Sequence, residues 1–381
     1  MLKGFATAEG TKSFRDRFLP QLEENHFRER EGLWLSSIGM GSYLGEPDEA
    51  TDLLYGEAMT HAVSKGINVF DTAANYRCQR SERVYGKTLA GLVAAGRLRR
   101  EEFFVSTKGG FLSFDGAYPA DPAAYVRDTF LKPGILREED LVDGMHSLSP
   151  SYLEHQLRQS LQNLELETID LYYLHNPEMQ LGSISVETFK KRMIEAFRWL
   201  EEKVREGRIR MYGTATWNGY RIAETSKSYL ELQTVNLWAR EAAGAMPHFK
   251  AVQLPVNFAM PEAWVLPNQR FGPNKVSLLN AAERMGVMVM ASAPMLQGRL
   301  LKPLPDFLGK YFKELKKSSQ QCLQFVRSLP GLTTALAGMK QTAHVDENLE
   351  VAKQAPLTDG DLVLMFSQQG ESSAASRPVD S

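Results

Sequence analysis

Four side chains able to carry charge or move a proton follow three apolar runs in the first half of the chain. Asp71 closes Ile67-Asn68-Val69-Phe70, and Tyr76 comes five residues later. Lys108 closes Phe103-Phe104-Val105-Ser106-Thr107, and His175 closes Leu171-Tyr172-Tyr173-Leu174. Each run has the length and composition of a buried strand. Capping, snorkelling or loop hydrogen bonding would explain any one of the four alone. None of these predicts Asp, Tyr, Lys and His at successive strand ends, so the pattern points to strand ends converging on one site.

Convergence would assemble a proton donor for a developing alkoxide. A tyrosine hydroxyl, with an ordinary pKa near ~10, is a poor donor at neutral pH. An ammonium beside it stabilises the phenolate and makes a usable acid, which is the role open to Lys108. A carboxylate such as Asp71 would keep a partly buried Lys108 charged. His175 can donate to a carbonyl oxygen and orient it. None of these groups carries a hydride, so carbonyl reduction at such a site requires a nicotinamide.

The elements that must position these residues alternate along the chain. Short strand patterns are expected at Trp34 to Ile38, 67–71, 103–107, 170–174, 209–212, 251–254, 287–291 and 332–337, with helical stretches between them. Asp48 suits the cap of a helix ending at Gly66, a second helix runs from Ser81 to about Ala95, and Ser149-Pro150 opens a third along Leu153, Leu157, Leu161 and Leu164. Eight such units read as an α/β fold, a closed (β/α)8 TIM barrel, with an open two-domain sheet as the alternative. The expected division is an N-terminal extension over 1–32, the barrel over 33–366 with an inserted loop at 112–148, and a disordered tail over 367–381. The loops 112–148 and 258–276 both follow strand C-termini, where barrel enzymes place substrate walls or lids, with a tolerated surface insertion as the alternative.

Gly39-Met40-Gly41-Ser42-Tyr43-Leu44-Gly45, followed by a strand ending in Asp71, approaches the dinucleotide-binding fingerprint. Its third glycine falls one position late, and Pro47-Asp48 separates the glycines from the helix. That reading would also leave Lys108 and His175 without a role. Composition excludes other classes: a net charge of −2 gives no nucleic-acid footprint, and the cysteines Cys78 and Cys322 are too few for a zinc site or a disulfide framework. The start of the chain lacks a signal-peptide core and no apolar run reaches membrane length, so a cytoplasmic protein without a membrane partner is expected.

Phe70-Asp71-Thr72-Ala73-Ala74-Asn75-Tyr76 with Ser81-Glu82, then Thr107-Lys108, then Asp170 to Pro177, then Val345-Asp346-Glu347-Asn348, resembles the aldo-keto reductase family in motif and in order, over residues 33 to 353. The resemblance implies a barrel that binds extended NADPH across its C-terminal mouth, with NADH less favoured, and a catalytic set of Asp71, Tyr76, Lys108 and His175. It further implies that Gln253 holds the nicotinamide carboxamide with help from Thr216, although Gly213-Thr214-Ala215-Thr216-Trp217 departs from the family's Gly-x-Ser-Asn or Gly-x-Ser-Arg pattern at Ala215 and Thr216. Ser292, Gln297, Gly298 and Arg299 match the pyrophosphate loop. Gly338, Lys340, Glu347 and Asn348 match the adenosine end, and a cation at Lys340 favours the 2′-phosphate. The position that stacks an aromatic ring on the nicotinamide reads Ala291. The expected activity is reduction of a small-molecule carbonyl, with an NADPH-binding regulatory subunit and a sugar or polyol dehydrogenase as alternatives. Phe111, Phe114, Tyr118, Trp264 and Phe271 are the expected substrate walls, mildly favouring an apolar or aromatic carbonyl.

Overall fold

Eight parallel strands close into a barrel in chain order in the computed structural model, which describes residues 1–374 except 245, 304 and 313. They are β1 (Ile38–Gly41), β2 (Val69–Asp71), β3 (Phe104–Gly109), β4 (Ile169–His175), β5 (Ile209–Ala215), β6 (Phe249–Pro255), β7 (Met288–Ser292) and β8 (Leu332–Gly338). A principal helix follows each strand: α1 (Glu49–Ser64), α2 (Arg80–Ala94), α3 (Pro150–Asn163), α4 (Val186–Arg205), α5 (Leu232–Ala243), α6 (Leu278–Met285), α7 (Ser318–Ser328) and α8 (Thr342–Leu349). The protein is a (β/α)8 barrel. Among the described residues no helix is long and apolar enough to cross a membrane.

Local chemistry sets the helix starts. Asp48 accepts the Thr51 N–H at 2.8 Å and opens α1, and Ser185 accepts the Thr188 N–H at 3.1 Å and opens α4. Pro150 does occupy the first position of α3, but the Ser149 hydroxyl makes no capping bond. It sits instead 3.1 Å from the Ser147 hydroxyl. Outward-facing strand residues and the inner helix faces form one large core that includes Leu153, Leu157, Phe189, Met193 and Phe197.

The first strand lies later than the sequence suggests. Leu33–Ser36 pairs antiparallel with Phe27–Arg30, and this hairpin supplies Leu33 and Leu35 to an inner cluster with Val69, Phe104, Leu171 and Met288, near the N-terminal ends of the strands. The barrel strand is Ile38–Gly41, so the start of the glycine-rich stretch is itself part of the wall. A Cβ on Gly39 would lie 2.8 Å from Thr334 Cγ2, 2.9 Å from Leu336 Cδ2 and 3.1 Å from the Val69 carbonyl. Glycine is there for close strand packing, not for phosphate. Residues ahead of the hairpin are built into the barrel as well: the Ala6 N–H donates to Asp170 at 2.7 Å, and Phe14 is fully buried. At the other end, the stretch from Ser367 expected to be disordered begins inside a helix, Asp359–Ala374, and residues 375–381 lie outside the described residues.

Gly39→Ala is expected to lower the unfolding free energy by about 1–3 kcal/mol through overpacking. This would be read as a lower urea midpoint at constant m-value; an unchanged midpoint would show that the strand has room for a methyl group.

Candidate active site

Strands β2, β3 and β4 are neighbours whose register sets Asp71 level with Ser106 and Lys108 level with Tyr173, so Asp71, Lys108 and His175 share one face and step along one rim. The Lys108 ammonium donates to Asp71 Oδ2 at 2.6 Å and to the Thr72 carbonyl at 2.8 Å. Asp71 Oδ1 accepts from the Ser106 hydroxyl at 2.7 Å and from the Gln253 carboxamide at 2.9 Å. Tyr76 lies over this pair, with Lys108 Nζ 4.8 Å from its ring centroid. Its ring meets the His175 ring edge-on at 5.8 Å and the Tyr43 ring at 5.0 Å. All four residues singled out at the strand ends therefore share one site.

Electrostatics at the site are set by burial and by the one ammonium. Burial works against the charge on Lys108, but the neighbouring Asp71 and Tyr76 outweigh it and raise the pKa above the ordinary lysine value. Burial also raises Tyr76; Lys108 opposes this and Asp71 adds to it, so the net shift is upward. The tyrosine is accordingly held protonated in the free protein. This differs from the sequence expectation of a net lowering, because burial of the hydroxyl exceeds the ammonium's effect. His175 is driven well below the ordinary histidine value by burial, then by Lys108 and His146, and is neutral. Its Nδ1 is buried and has no hydrogen-bond partner among the described residues.

Backbone strain gathers around the same rim. Arg77, Cys78 and Gln79, which follow Tyr76 directly, have φ of 49°, 55° and 68°. Each such non-glycine residue costs of order 1–3 kcal/mol, about what a built anchor can hold. The anchor is Arg77, whose buried guanidinium donates to the carbonyls of Glu46 and Asp48 and to Asp52 at 2.5 Å. The Ser81 hydroxyl donates to the Ser42 carbonyl, and Glu82 accepts from Thr107 at 2.6 Å and Asn163 at 3.0 Å, so α2 is tied to strand β3 beside Lys108.

A cavity of about 620 Å³ opens over these residues and crosses the mouth of the barrel. Asp71, Tyr76, His175, Gln253 and Thr216 line one end; Gly338, Glu347 and Asn348 line the other, with Ser292, Gln297 and Gly298 between. Arg299 and Lys340 stand outside the wall: Arg299 is exposed beyond the turn that carries Gln297 and Gly298, and Lys340 is half-buried near Gly45. Ala291 is fully buried and does not reach the cavity; Ser292, the next residue of β7, does. Glu178 accepts the N–H groups of Trp217 at 2.8 Å and Asn218 at 3.0 Å, fixing the turn after Thr216.

Of the five expected walls, Phe111 alone lines the cavity. Phe114 packs on Tyr118 and Tyr125, Trp264 on Phe366, and Phe271 against Arg284. Segment 258–276 is held away because Gln269 accepts the Leu232 N–H at 2.8 Å and Asn268 donates to the Tyr220 carbonyl at 3.0 Å. Sequence reasoning missed Tyr43, Leu44, Trp217, Ser319 and His344 in the wall. Tyr43 and Leu44 lie inside the dismissed glycine-rich segment, and Trp217 follows Thr216 directly. Ser319 and His344 carry no local signal.

The fold has known counterparts. A family model described as the aldo/keto reductase family matches residues 37–365. The chain belongs to the aldo-keto reductase family. It is thus an NAD(P)H-dependent oxidoreductase. It is 23% identical over 359 residues to the uncharacterized oxidoreductase YqkF of Bacillus subtilis strain 168, covering 86% of this chain and 90% of that protein. The barrel also matches an aldo/keto reductase from Klebsiella pneumoniae in complex with NADP and acetate, at 19% identity and TM-score 0.60, over 91% and 95% of the two chains. A glycerol dehydrogenase from Gluconobacter oxydans matches at 18% identity and TM-score 0.62, over 94% and 98%.

Burial also predicts a pH response. His26 is lowered from 6.5 to about 3 and His146 to about 4 by burial, and His175 is lowered likewise. The folded-state values lie below the unfolded one, so as pH falls below about 6.5 the unfolded chain takes up protons that the native protein refuses. Each such histidine is expected to cost about 2 kcal/mol at pH 5. The buried Glu82 and Glu178, raised by burial, act in the opposite sense above the ordinary carboxylate value but are fewer. The melting temperature is therefore expected to fall between pH 7 and pH 5; a rise over that interval would contradict the assignment of neutral buried imidazoles.

Proposed function

We propose that the protein reduces a neutral aldehyde or ketone to the alcohol, with NADPH as reductant and Tyr76 as proton donor. The observation that carries this reading is the placement of Tyr76 over the Lys108 ammonium and edge-on to neutral His175, all at one end of the cavity. In the bound state a nicotinamide supplies the hydride to the carbonyl carbon. Tyr76 gives its proton to the carbonyl oxygen as negative charge develops there. Lys108 stabilises the phenolate left behind, and Asp71 keeps Lys108 charged. His175, uncharged, offers a ring N–H to the same oxygen and sets its direction.

The residues present fit an extended dinucleotide. Beside the four, Thr216 has a buried hydroxyl oxygen without a partner among the described residues, and Gln253 is oriented by its bond to Asp71; these two would hold the carboxamide. Ser292, Gln297 and Gly298 would follow the pyrophosphate, and Gly338, Glu347 and Asn348 the adenosine. Lys340 and Arg299, at the rim, are the cations available to a 2′-phosphate, which favours NADPH over NADH. The NADP in the Klebsiella relative's complex supports the same choice.

Substrate chemistry follows from the wall. Among the described residues lining the cavity there is no lysine or arginine, while Tyr43, Leu44, Phe111 and Trp217 surround the catalytic end. An anionic substrate would meet no counter-charge there, so apolar and aromatic carbonyls are favoured over keto acids and sugar phosphates.

Tyr76→Phe is expected to bind NADPH within a factor of about two of wild type and to lose at least about 100-fold in kcat on aromatic aldehydes. Fluorescence titration and NADPH oxidation would measure the two. Retention of most of the rate would remove Tyr76 as the acid.

A further inference from the structure

The 37 residues of segment 112–148 interrupt the third βα unit, and they touch the backbone beside three of the four site residues. On the Tyr76 side, Gly116 N–H donates to the Cys78 carbonyl at 2.9 Å and Gln79 Nε2 to the Phe114 carbonyl at 3.1 Å. On the Lys108 side, the Ser147 N–H donates to the Gly110 carbonyl at 2.9 Å. On the His175 side, His146 Nε2 lies 2.7 Å from the His175 carbonyl.

His146 is wholly buried, and its partners fix its proton. A carbonyl only accepts, so Nε2 carries the hydrogen; Nδ1 then accepts from Gln180 Nε2 at 3.1 Å. Gln180 Oε1 in turn accepts from Arg192 at 3.1 Å, and Arg192 donates to the Glu139 carbonyl at 2.7 Å, back in the same segment. The Phe111 ring stands edge-on to both His146 at 5.2 Å and His175 at 4.9 Å. Its backbone is fixed as well, since Gln156 Nε2 donates to the Phe111 carbonyl at 2.7 Å and the Gly110 N–H donates to Gln156 Oε1 at 2.8 Å. Gly110 has φ of 136°, and a Cβ there would stand 2.9 Å from His146 Nε2 and 3.2 Å from the His175 carbonyl. No space separates the segment from the strand end that carries His175.

We propose that segment 112–148 is a fixed brace across the ends of β2, β3 and β4, and that His146 is a positioning residue for His175 and Phe111. The bond to the His175 carbonyl sets where β4 stops, and so sets the imidazole against Tyr76 at the point of proton transfer. Phe111, held between the two imidazoles, becomes a rigid wall of the carbonyl pocket. The catalytic part of this inference rests on the proposed reductase activity; the brace does not.

The experiment uses the full chain with His146→Leu, which removes the donor, and His146→Gln, which keeps an N–H of similar reach. His146→Leu is expected to lose about 10-fold to 100-fold in kcat with benzaldehyde, as a displacement of about 1 Å would produce, with NADPH affinity unchanged. His146→Gln is expected to recover most of that rate. Equal losses in both variants, tracking equal drops in melting temperature, would mean His146 is structural only and would overturn the positioning role. Gln180→Met tests the same relay if His146→Leu does not fold: a smaller fall in kcat is expected, and none would overturn it. Hydrogen exchange tests the brace independently of catalysis. The Leu112 and Ser147 amides, bonded to the carbonyls of Met145 and Gly110, are expected to be protected in the wild type. Fast exchange there would identify a moving lid instead. Absence of carbonyl reduction by the wild type would count against the proposed function and leave the exchange result to decide the brace.

Discussion

One buried ion pair organises this molecule. Asp71 on β2 receives Lys108 and Ser106 from β3 and Gln253 from β6, so a single carboxylate joins three strands at the rim. Two charges taken out of water are tolerated only when other hydrogen bonds support them, and here the Ser106 hydroxyl, the Gln253 carboxamide and the Thr72 carbonyl do so. Loss of either partner would leave the other buried and uncompensated, typically at a cost of about 3–5 kcal/mol. The pair also determines what Tyr76 and His175 experience. The ammonium opposes the effect of burial on the tyrosine and helps keep the histidine neutral.

The barrel makes this arrangement affordable. Strand register places the ionisable groups, and large apolar layers on both faces of the wall fix that register. At the mouth, Arg77 to Gln79, Asn176, Ala293, Leu296 and Gln297 depart from relaxed backbone, as do Glu31, Asp143 and Glu165 in turns elsewhere. Such positions persist where surrounding contacts over-determine them, as the Arg77 guanidinium does next to Tyr76.

Legibility in the sequence is uneven. The strand ends at Asp71, Lys108 and His175 were readable because each depends on a short apolar run and the residue that closes it. The positions that the family resemblance assigns to a cofactor run from the end of β5 to beyond β8; Thr216, Gln253, Ser292, Gln297, Gly298, Gly338, Glu347 and Asn348 line the cavity, and Arg299 and Lys340 do not. The first strand was misplaced because Trp34 to Ile38 and Ile38 to Gly41 are both plausible extended runs; only the hairpin partner at Phe27–Arg30 and the tight packing at Gly39 separate them. Loop walls were read poorly for a related reason. Whether Phe111 or Trp264 faces the cavity depends on distant anchors, such as Gln156 under Phe111 and Gln269 against Leu232, and no local pattern encodes those. The sign of the Tyr76 shift likewise depended on depth of burial, which spacing does not give.

The central claim is that Asp71 keeps Lys108 charged beneath Tyr76. The pH profile of kcat/KM for carbonyl reduction in Asp71→Asn, set beside that of the wild type, tests it most directly. Without the carboxylate, burial of Lys108 loses its main counterweight and its pKa falls, so the ammonium is lost at lower pH. The alkaline limb of the profile is expected to move down by about one unit or more, with a reduced plateau. An alkaline limb at the wild-type position with an undiminished plateau would contradict it.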